Sequence, residues 1–412
     1  MRNNQLLLLP ACLLFTGNVF AQIAFTEHPE LLPYATHSGN CMAVTDMNDD
    51  GRDDIAVLDN SNFLKILYQN IDGTFKGFDI EQVSSSEQWG MAVADMDNDG
   101  HKDCFTGGSY DGQHYERITA PGVFTPGVAD YAAVYMQNIS IGDINNDGWL
   151  DVLGCHDDGA PAIWMNDSTG SLHTNPYIDF TTVSNLPAGD MSGNYGSVFT
   201  DFDGDGDLDL YIAHCRQGVN DPNDVRRWNR LFVNDGNNNY TDQIDTFGLS
   251  DHHQSWAVDF GDWDNDGDLD LIVVNHDQAM QFFENDGTGH FTEIADGGLN
   301  ITGFLLQTHF EDFDNDGFLD ILISGGSQIL LHGNGDGTFT PITDAFPGGS
   351  TMHGYAIGDL NNDGFMDVWA NYGSGYITPN PATPDKLWLN NGNSNHWLNV
   401  RLRGVTSNRD AI

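Results

Sequence analysis

One nine-residue pattern recurs seven times in the chain: Asp or Asn at positions 1, 3 and 5, Gly at 6 and Asp at 9, running at once into a short apolar stretch. The copies place side-chain oxygens at Asp46, Asn48, Asp50 and Asp54; at Asp95, Asp97, Asp99 and Asp103; at Asp143, Asn145, Asp147 and Asp151; and at Asp201, Asp203, Asp205 and Asp209. They continue at Asp262, Asp264, Asp266 and Asp270; at Asp312, Asp314, Asp316 and Asp320; and at Asp359, Asn361, Asp363 and Asp367. A hard cation such as calcium takes six to eight oxygens, and a short loop supplies them by turning alternate side chains inward. Glycine at position 6 permits the sharp bend that brings a backbone carbonyl and the last Asp to the same ion. Up to seven calcium ions are expected, one per loop.

Other architectures that open with such a loop do not fit. An EF-hand needs Glu at position 12, where this chain carries Val57, Thr106, Gly154, Ile212, Val273, Ile323 and Ala370. Dockerin and thrombospondin-type arrays set their loops closer together than these, which recur at intervals of 47 to 61 residues. Each interval has room for a four-stranded sheet.

The residues between loops read as strands. Apolar side chains stand two and four places before the first Asp, as in Met42 and Val44, Met91 and Val93, Ile139 and Ile141, and Val258 and Phe260, which is the period-2 signature of a half-buried strand. Beyond the loop comes a second apolar run, then a third that ends in an Asn/Gly turn and leads to a fourth, as in Gln281–Asn285 followed by Asp286-Gly287 and Phe291. Asp-Gly between apolar runs is a strong hairpin signal. Four antiparallel strands, repeated seven times, give an all-β fold: a seven-bladed β-propeller over residues 22–395 with one calcium loop per blade. The stretch Ile23–His28 resembles a fourth strand but precedes the first loop. It is expected to pair beside Lys386–Asn390 and so close the ring.

Loop, spacing and the Asn-x-Asp-Gly-Thr-Phe turn together resemble the FG-GAP or VCBS repeat, the calcium propeller repeat of integrin α chains. That resemblance implies a role in binding or adhesion. The segment Asn395–Gly404 with Ser407–Asp410 looks like the opening of the ASPIC/UnbV domain found in the family related to cartilage acidic protein 1. Residues 396–412 are read as the truncated start of such a domain.

Sixty-one acidic residues against fourteen basic ones give a formal charge of −47, which disfavours nucleic acid and anionic membranes as partners. Residues 1–21 carry the marks of a secretory signal: Arg2, an apolar stretch from Leu6 to Phe15, and Val19-Phe20-Ala21 as a cleavage site. A lipoprotein reading at Cys12 is weaker, because Pro10 is poorly placed. No later run approaches the roughly 18 apolar residues of a membrane span, so the mature chain is expected to be secreted or at the cell surface. Cys41, Cys104, Cys155 and Cys215 match no metal motif.

With all ions on one face, the residues about six before each first Asp should line the opposite mouth of the central channel. They are Asn40, Trp89, Gln137, Tyr195, Trp256, Leu306 and His353. Turns after the second strands should emerge on the same face with His156, His214, His276 and Arg216, beside a cluster at Arg226, Arg227 and Arg230. Aromatic rings mixed with polar groups suit an extracellular glycan or a protein partner. A polysaccharide lyase or hydrolase using those histidines is the alternative, and a structural spacer is a third reading. No Ser/His/Asp order or phosphate loop is present, so an enzyme is the less favoured class. Oligomeric state cannot be read from the chain. Counting charges, the loops with Asn48, Asn145 and Asn361 should bind calcium more weakly than the four all-Asp loops. Site-resolved calcium titration by NMR should show them filling last.

Overall fold

The structure, a computed structural model, describes residues 23–180, 193–326, 328–348 and 351–404. The signal-like residues 1–21 and the stretch Ser407–Asp410 lie outside them. Seven four-stranded antiparallel sheets follow one another along the chain as the blades of a propeller. Blade 1 is Ser38–Thr45, Asp54–Asp59, Phe63–Gln69 and Phe75–Gln82. Blades 2 to 6 repeat that order, and their first strands are Gln88–Ala94, Met136–Gly142, Asn194–Thr200, Ser255–Gly261 and Leu305–Glu311. In each of them a carboxylate loop joins the first strand to the second.

Blade 7 takes three strands from the end of the chain, Gly354–Gly358, Asp367–Asn371 and Lys386–Asn390, and its fourth, Phe25–Glu27, from the beginning. The register is Phe25 opposite Asn390, Thr26 opposite Leu389 and Glu27 opposite Trp388, as the sequence predicts. First strands touch their neighbours around the whole ring, the seventh meeting the first.

The apolar core lies between blades. Among the described residues the buried side chains sort into clusters, each of which draws on two adjacent blades; Leu58 and Ile66 of blade 1, for example, pack with Cys104 and Ile118 of blade 2. Second strands are covered on both faces and are buried along their length, as in Asp54–Asp59 and Asp270–Asn275, the one exception among them being half-buried His156 at the end of that of blade 3. This is why they read as unbroken apolar runs while first strands alternate. The four cysteines of the described chain are buried free thiols.

Six of the seven first strands carry a β-bulge near their entry, where one or more residues drop out of register with the second strand. The displaced residues include Asn40, Trp89, Gln137, Tyr195, Trp256 and Leu306. A bulge re-aims a side chain, and these six all line the central cavity. Blade 7 has no bulge, and His353 lies ahead of its first strand.

Ring closure rests on Phe25, which is 2% exposed, stacks on Phe346 with centroids 4.4 Å apart and meets Phe313 edge-on at 5.7 Å. Phe25→Ala should lower unfolding stability by about 3–5 kcal/mol. Thr26→Ala, one residue away and facing solvent, should change it by less than about 0.5 kcal/mol. Equilibrium denaturation of the two variants checks the contrast.

Candidate functional site

Two faces of the disc carry chemistry, the loop face and the mouth face. On the loop face each turn is held by its own first aspartate. In loop 6, Asp312 Oδ1 accepts from the Asp316 amide at 3.1 Å and Oδ2 from the Gly317 amide at 2.8 Å. Loops 1, 2, 3, 5 and 7 repeat the pair, for instance Asp46 with the amides of Asp50 and Gly51. Position 4 adopts left-handed backbone in every loop, with φ of 56–62° at Asp49, Asn98, Asn146, Asn265, Asn315 and Asn362 and 71° at Gly204. Asn, Asp and Gly tolerate that region, and this is why the fourth residue is always one of them.

The closing aspartate reaches further than its loop. In all seven blades its Oδ1 accepts a backbone N–H from the end of the third strand: Asp54 from Gln69, Asp103 from Ile118, Asp151 from Asn166, Asp209 from Asn234, Asp270 from Asn285, Asp320 from Gly333 and Asp367 from Asn390, at 2.7–3.0 Å. These carboxylates are at most 1% exposed. Burial pushes Asp54, Asp151, Asp209 and Asp367 up to about 8 and Asp270 up to about 7, with neighbouring loop carboxylates adding to the rise. In loop 4, Asp201 Oδ1 and Asp209 Oδ2 are buried without a hydrogen-bond donor. Converging carboxylates that repel one another, with oxygens left over, are the donor set of a hard cation, whose charge would hold them ionised. Ligand oxygens of Asp95, Asp97 and Asp99, of Asp201, Asp203 and Asp205, of Asp262, Asp264 and Asp270, and of Asp312, Asp314 and Asp320 lie within 4.8 Å of one another.

The third strand's last residue is a functional position that the loop pattern does not reveal. Asn285 Nδ2 donates to Leu269 O of its own blade at 3.0 Å and to Phe202 O of blade 4 at 3.1 Å. Asn166 links blade 3 to Met96 O of blade 2, and Asn390 links blade 7 to Phe313 O of blade 6. Gln69 joins blade 1 to Asp359 O of blade 7. The C-terminal segment crosses the same face: Arg401 donates to Asp46 Oδ2 at 3.1 Å, and Trp397 packs so closely over Gly364 that a Cβ there would overlap its ring.

On the mouth face, Trp89, Tyr195 and Trp256 line a cavity of about 250 Å³ with Asn40, Gln137 and Leu306. His353 does not join them. A side chain the sequence did not single out fills the middle: Tyr376, on the connection between Asn371 and Lys386, lies 5.6 Å from the Trp89 ring and 5.9 Å from that of Trp256. Its neighbour Ile377 accepts from Ser61 Oγ at 3.0 Å and passes so close to Gly39 that a Cβ there would run into Ser61 Oγ and crowd the Ile377 backbone. The only signal was the length of that connection and its Gly373-Ser-Gly-Tyr376 run.

The three histidines do not converge. His156 ends the second strand of blade 3, with its ring against Tyr110 at 5.7 Å. His214 is 1% exposed, bonded to Asn194 Oδ1 at 2.9 Å, and held neutral by burial well below the usual imidazole range. His276 stacks on Trp256 at 4.5 Å, within 2.8 Å of Leu305 O. The arginine cluster is internally neutralised: Arg226 pairs with Asp224, Arg227 with Asp277, and Arg230 with Asp242. Arg216 remains at the surface, donating to Asp157 O at 3.0 Å and Asp158 Oδ1 at 3.1 Å. Beside it Tyr110 holds left-handed backbone, φ 61°, and donates to Asp158 Oδ2 at 2.5 Å. Tyr110, Tyr131 and Phe304 are 45%, 67% and 49% exposed.

Blades, loops and mouth define a seven-bladed β-propeller built from carboxylate-loop repeats. The chain belongs to the FG-GAP-like repeat family, whose pattern matches residues 46–106, 143–212, 201–273, 262–323 and 312–370. Each match begins at the first Asp of one loop and ends just past the next, so together they take in all seven. No curated protein matches the sequence. Among solved structures the chain is similar to the BP39L lectin from Burkholderia pseudomallei, at 14% identity and TM-score 0.58 over 89% of this chain and 99% of that one. It is also similar to YCF48 bound to D1 peptide, at 11% identity and TM-score 0.52 over 90% and 96%. BBS1N in complex with ARL6DN aligns at 9% identity and TM-score 0.52 over 89% and 97%. At these identities the likeness is of fold. No helix among the described residues is long and apolar enough to cross a membrane.

Asn285→Ala would leave two carbonyls without their donor, and an unsatisfied buried group costs about 1–3 kcal/mol. The loss should be the same in calcium and in chelator, since the latch joins protein to protein. Thermal unfolding in both buffers measures it.

Proposed function

We propose that this protein is an exported, calcium-loaded propeller that binds an extracellular glycan through its mouth face. The observation that carries the reading is the exposed pair of Tyr110 and Tyr131, joined by the bond from the Tyr131 hydroxyl to Tyr110 O at 3.3 Å, beside Asp158 and Arg216. Rings that stand free can cover the apolar faces of a sugar, while carboxylate and guanidinium pair with its hydroxyls. Trp89 and Trp256 serve differently: their rings pack on Tyr135, Tyr195, His276 and Tyr376 and shape the floor. Tyr110 supports the reading in a second way, because a bulky side chain at positive φ is strained, and such strain tends to persist where function holds it.

Calcium enters this reading as a structural ion. Each would join the first two strands of a blade, and through the closing aspartate the third, at the roughly 10⁻⁴ to 10⁻³ M affinity of extracellular sites. The donor sets of the loops and the signal-like N-terminus support calcium and export respectively. Of the structural neighbours, one is named as a lectin and another is bound to a peptide. A polypeptide ligand is therefore the competing outcome of the test.

Native electrophoresis through gels cast with different polysaccharides, in calcium, should show retarded migration in at least one. Tyr110→Ala and Tyr131→Ala should each weaken the retardation about tenfold, the equivalent of about 1.4 kcal/mol. Unretarded migration in every gel, with partner capture by a peptide array, would replace the glycan with a polypeptide. A cleared zone in the gel would replace binding with turnover.

A further inference from the structure

The seven loops share their carboxylates but not the side chain that the third strand points at them. The residue concerned stands immediately before the amide bonded to the closing aspartate. It is Tyr68, Arg117, Met165, Val233, Glu284, His332 and Leu389 in blades 1 to 7. Blade 2 shows where this position reaches: Arg117 Nε donates to Asp97, the position-3 carboxylate of its loop, at 2.7 Å. In blade 6 the same position holds an imidazole.

His332 is 4% exposed. Its Nδ1 lies 3.0 Å from Asp320 Oδ1, while Nε2 lies 3.9 Å from Asp316 Oδ2 and Nδ1 4.0 Å from Asp314 Oδ2. One ligand atom each from Asp314, Asp316 and His332 falls within 4.8 Å of the others. Asp320 is thus placed to accept a hydrogen bond from Nδ1–H, favouring the tautomer that leaves the Nε2 lone pair for the loop. A carboxylate behind a histidine is how metal-binding imidazoles are ordinarily oriented. Ligand atoms about 2.0–2.1 Å from a tetrahedral ion stand roughly 3.4 Å apart, so the set, now within 4.8 Å, would close in around a bound ion. The loop is reachable, since Asp312 and Asp316 border an open cleft beneath His396 and Trp397.

Resting on the reading of the loops as cation sites, we propose that loop 6 is a transition-metal site of the zinc and cobalt(II) class. His332 Nε2, Asp314 and Asp316 are its ligands, and Asp320 is the orienting carboxylate. Calcium prefers oxygen throughout, and imidazole favours zinc, copper, iron and nickel over it. Loop 6 therefore selects a different ion from the oxygen-only loops beside it.

The test uses the full chain, stripped with chelator and dialysed against cobalt(II) in about a hundredfold excess of calcium. Metal analysis should return one cobalt per chain alongside calcium, and pulsed EPR should show imidazole nitrogen coupling. His332→Gln should weaken cobalt binding about 10–100-fold and leave the calcium content unchanged. Calcium retained without cobalt, or cobalt held equally well by the variant, overturns the proposal while sparing the calcium reading. Retention of neither ion overturns both. If His332→Gln does not fold, the unsubstituted protein decides: nitrogen coupling at one equivalent of cobalt supports the site, and an oxygen-only spectrum overturns it.

Discussion

The bond from the closing aspartate to the third-strand amide is the constraint on which each blade depends. It turns a surface loop into part of the sheet, because one carboxylate oxygen ends the loop and another fastens the neighbouring third strand. Since the carboxylate is buried in every blade, its charge needs compensation that backbone donors supply only in part. A cation at the loop would supply the rest. Loop chemistry and blade stability are therefore one problem, and a bound cation would account for how a chain with a formal charge of −47 can gather so many carboxylates on one side of a disc.

Much of the architecture is legible in the sequence because it rests on short-range patterns. The loop is local, the hairpin turns are local, and alternation in the first strands reports which side faces a neighbour. Ring closure by Phe25–Glu27 is legible for a different reason: an orphan fourth strand at one end of the chain has to meet a blade short of one at the other. What stays hidden depends on contacts distant in sequence. Tyr376 is an unremarkable residue of a long connection until the ring closes around it. Arg227 and Arg230 look like a basic patch, but their carboxylate partners lie 50 and 12 residues further on. His214 shares its offset with His156 and likewise ends a second strand, yet one is fully buried and the other is half-buried.

The two faces are stabilised by different means. On the loop face, adjacent blades are tied by amide side chains reaching carbonyls across the interface, and the loops themselves are held by carboxylates. On the mouth face, bulges turn six side chains into the cavity, and rings close over one another with Tyr376 in the middle. Because the mouth is packed by aromatic contacts and not by ions, a ligand surface there can keep its shape whether or not the loops are filled.

Repetition also has a limit, and the third strand sets it. Duplicating a blade copies the loop, whose oxygens answer to one ion, but the side chain behind the loop packs against the next blade and is free to diverge as that interface does. In blades 3, 4 and 7 it is apolar, Met165, Val233 and Leu389. In blade 2 it is Arg117, whose guanidinium occupies an oxygen of Asp97. In blade 6 it is His332, which brings nitrogen. Seven loops with so similar a pattern are for this reason not seven equal environments: were a cation held there, the Asp or Asn at position 3 and the residue on the adjoining strand would together set how strongly and of what kind.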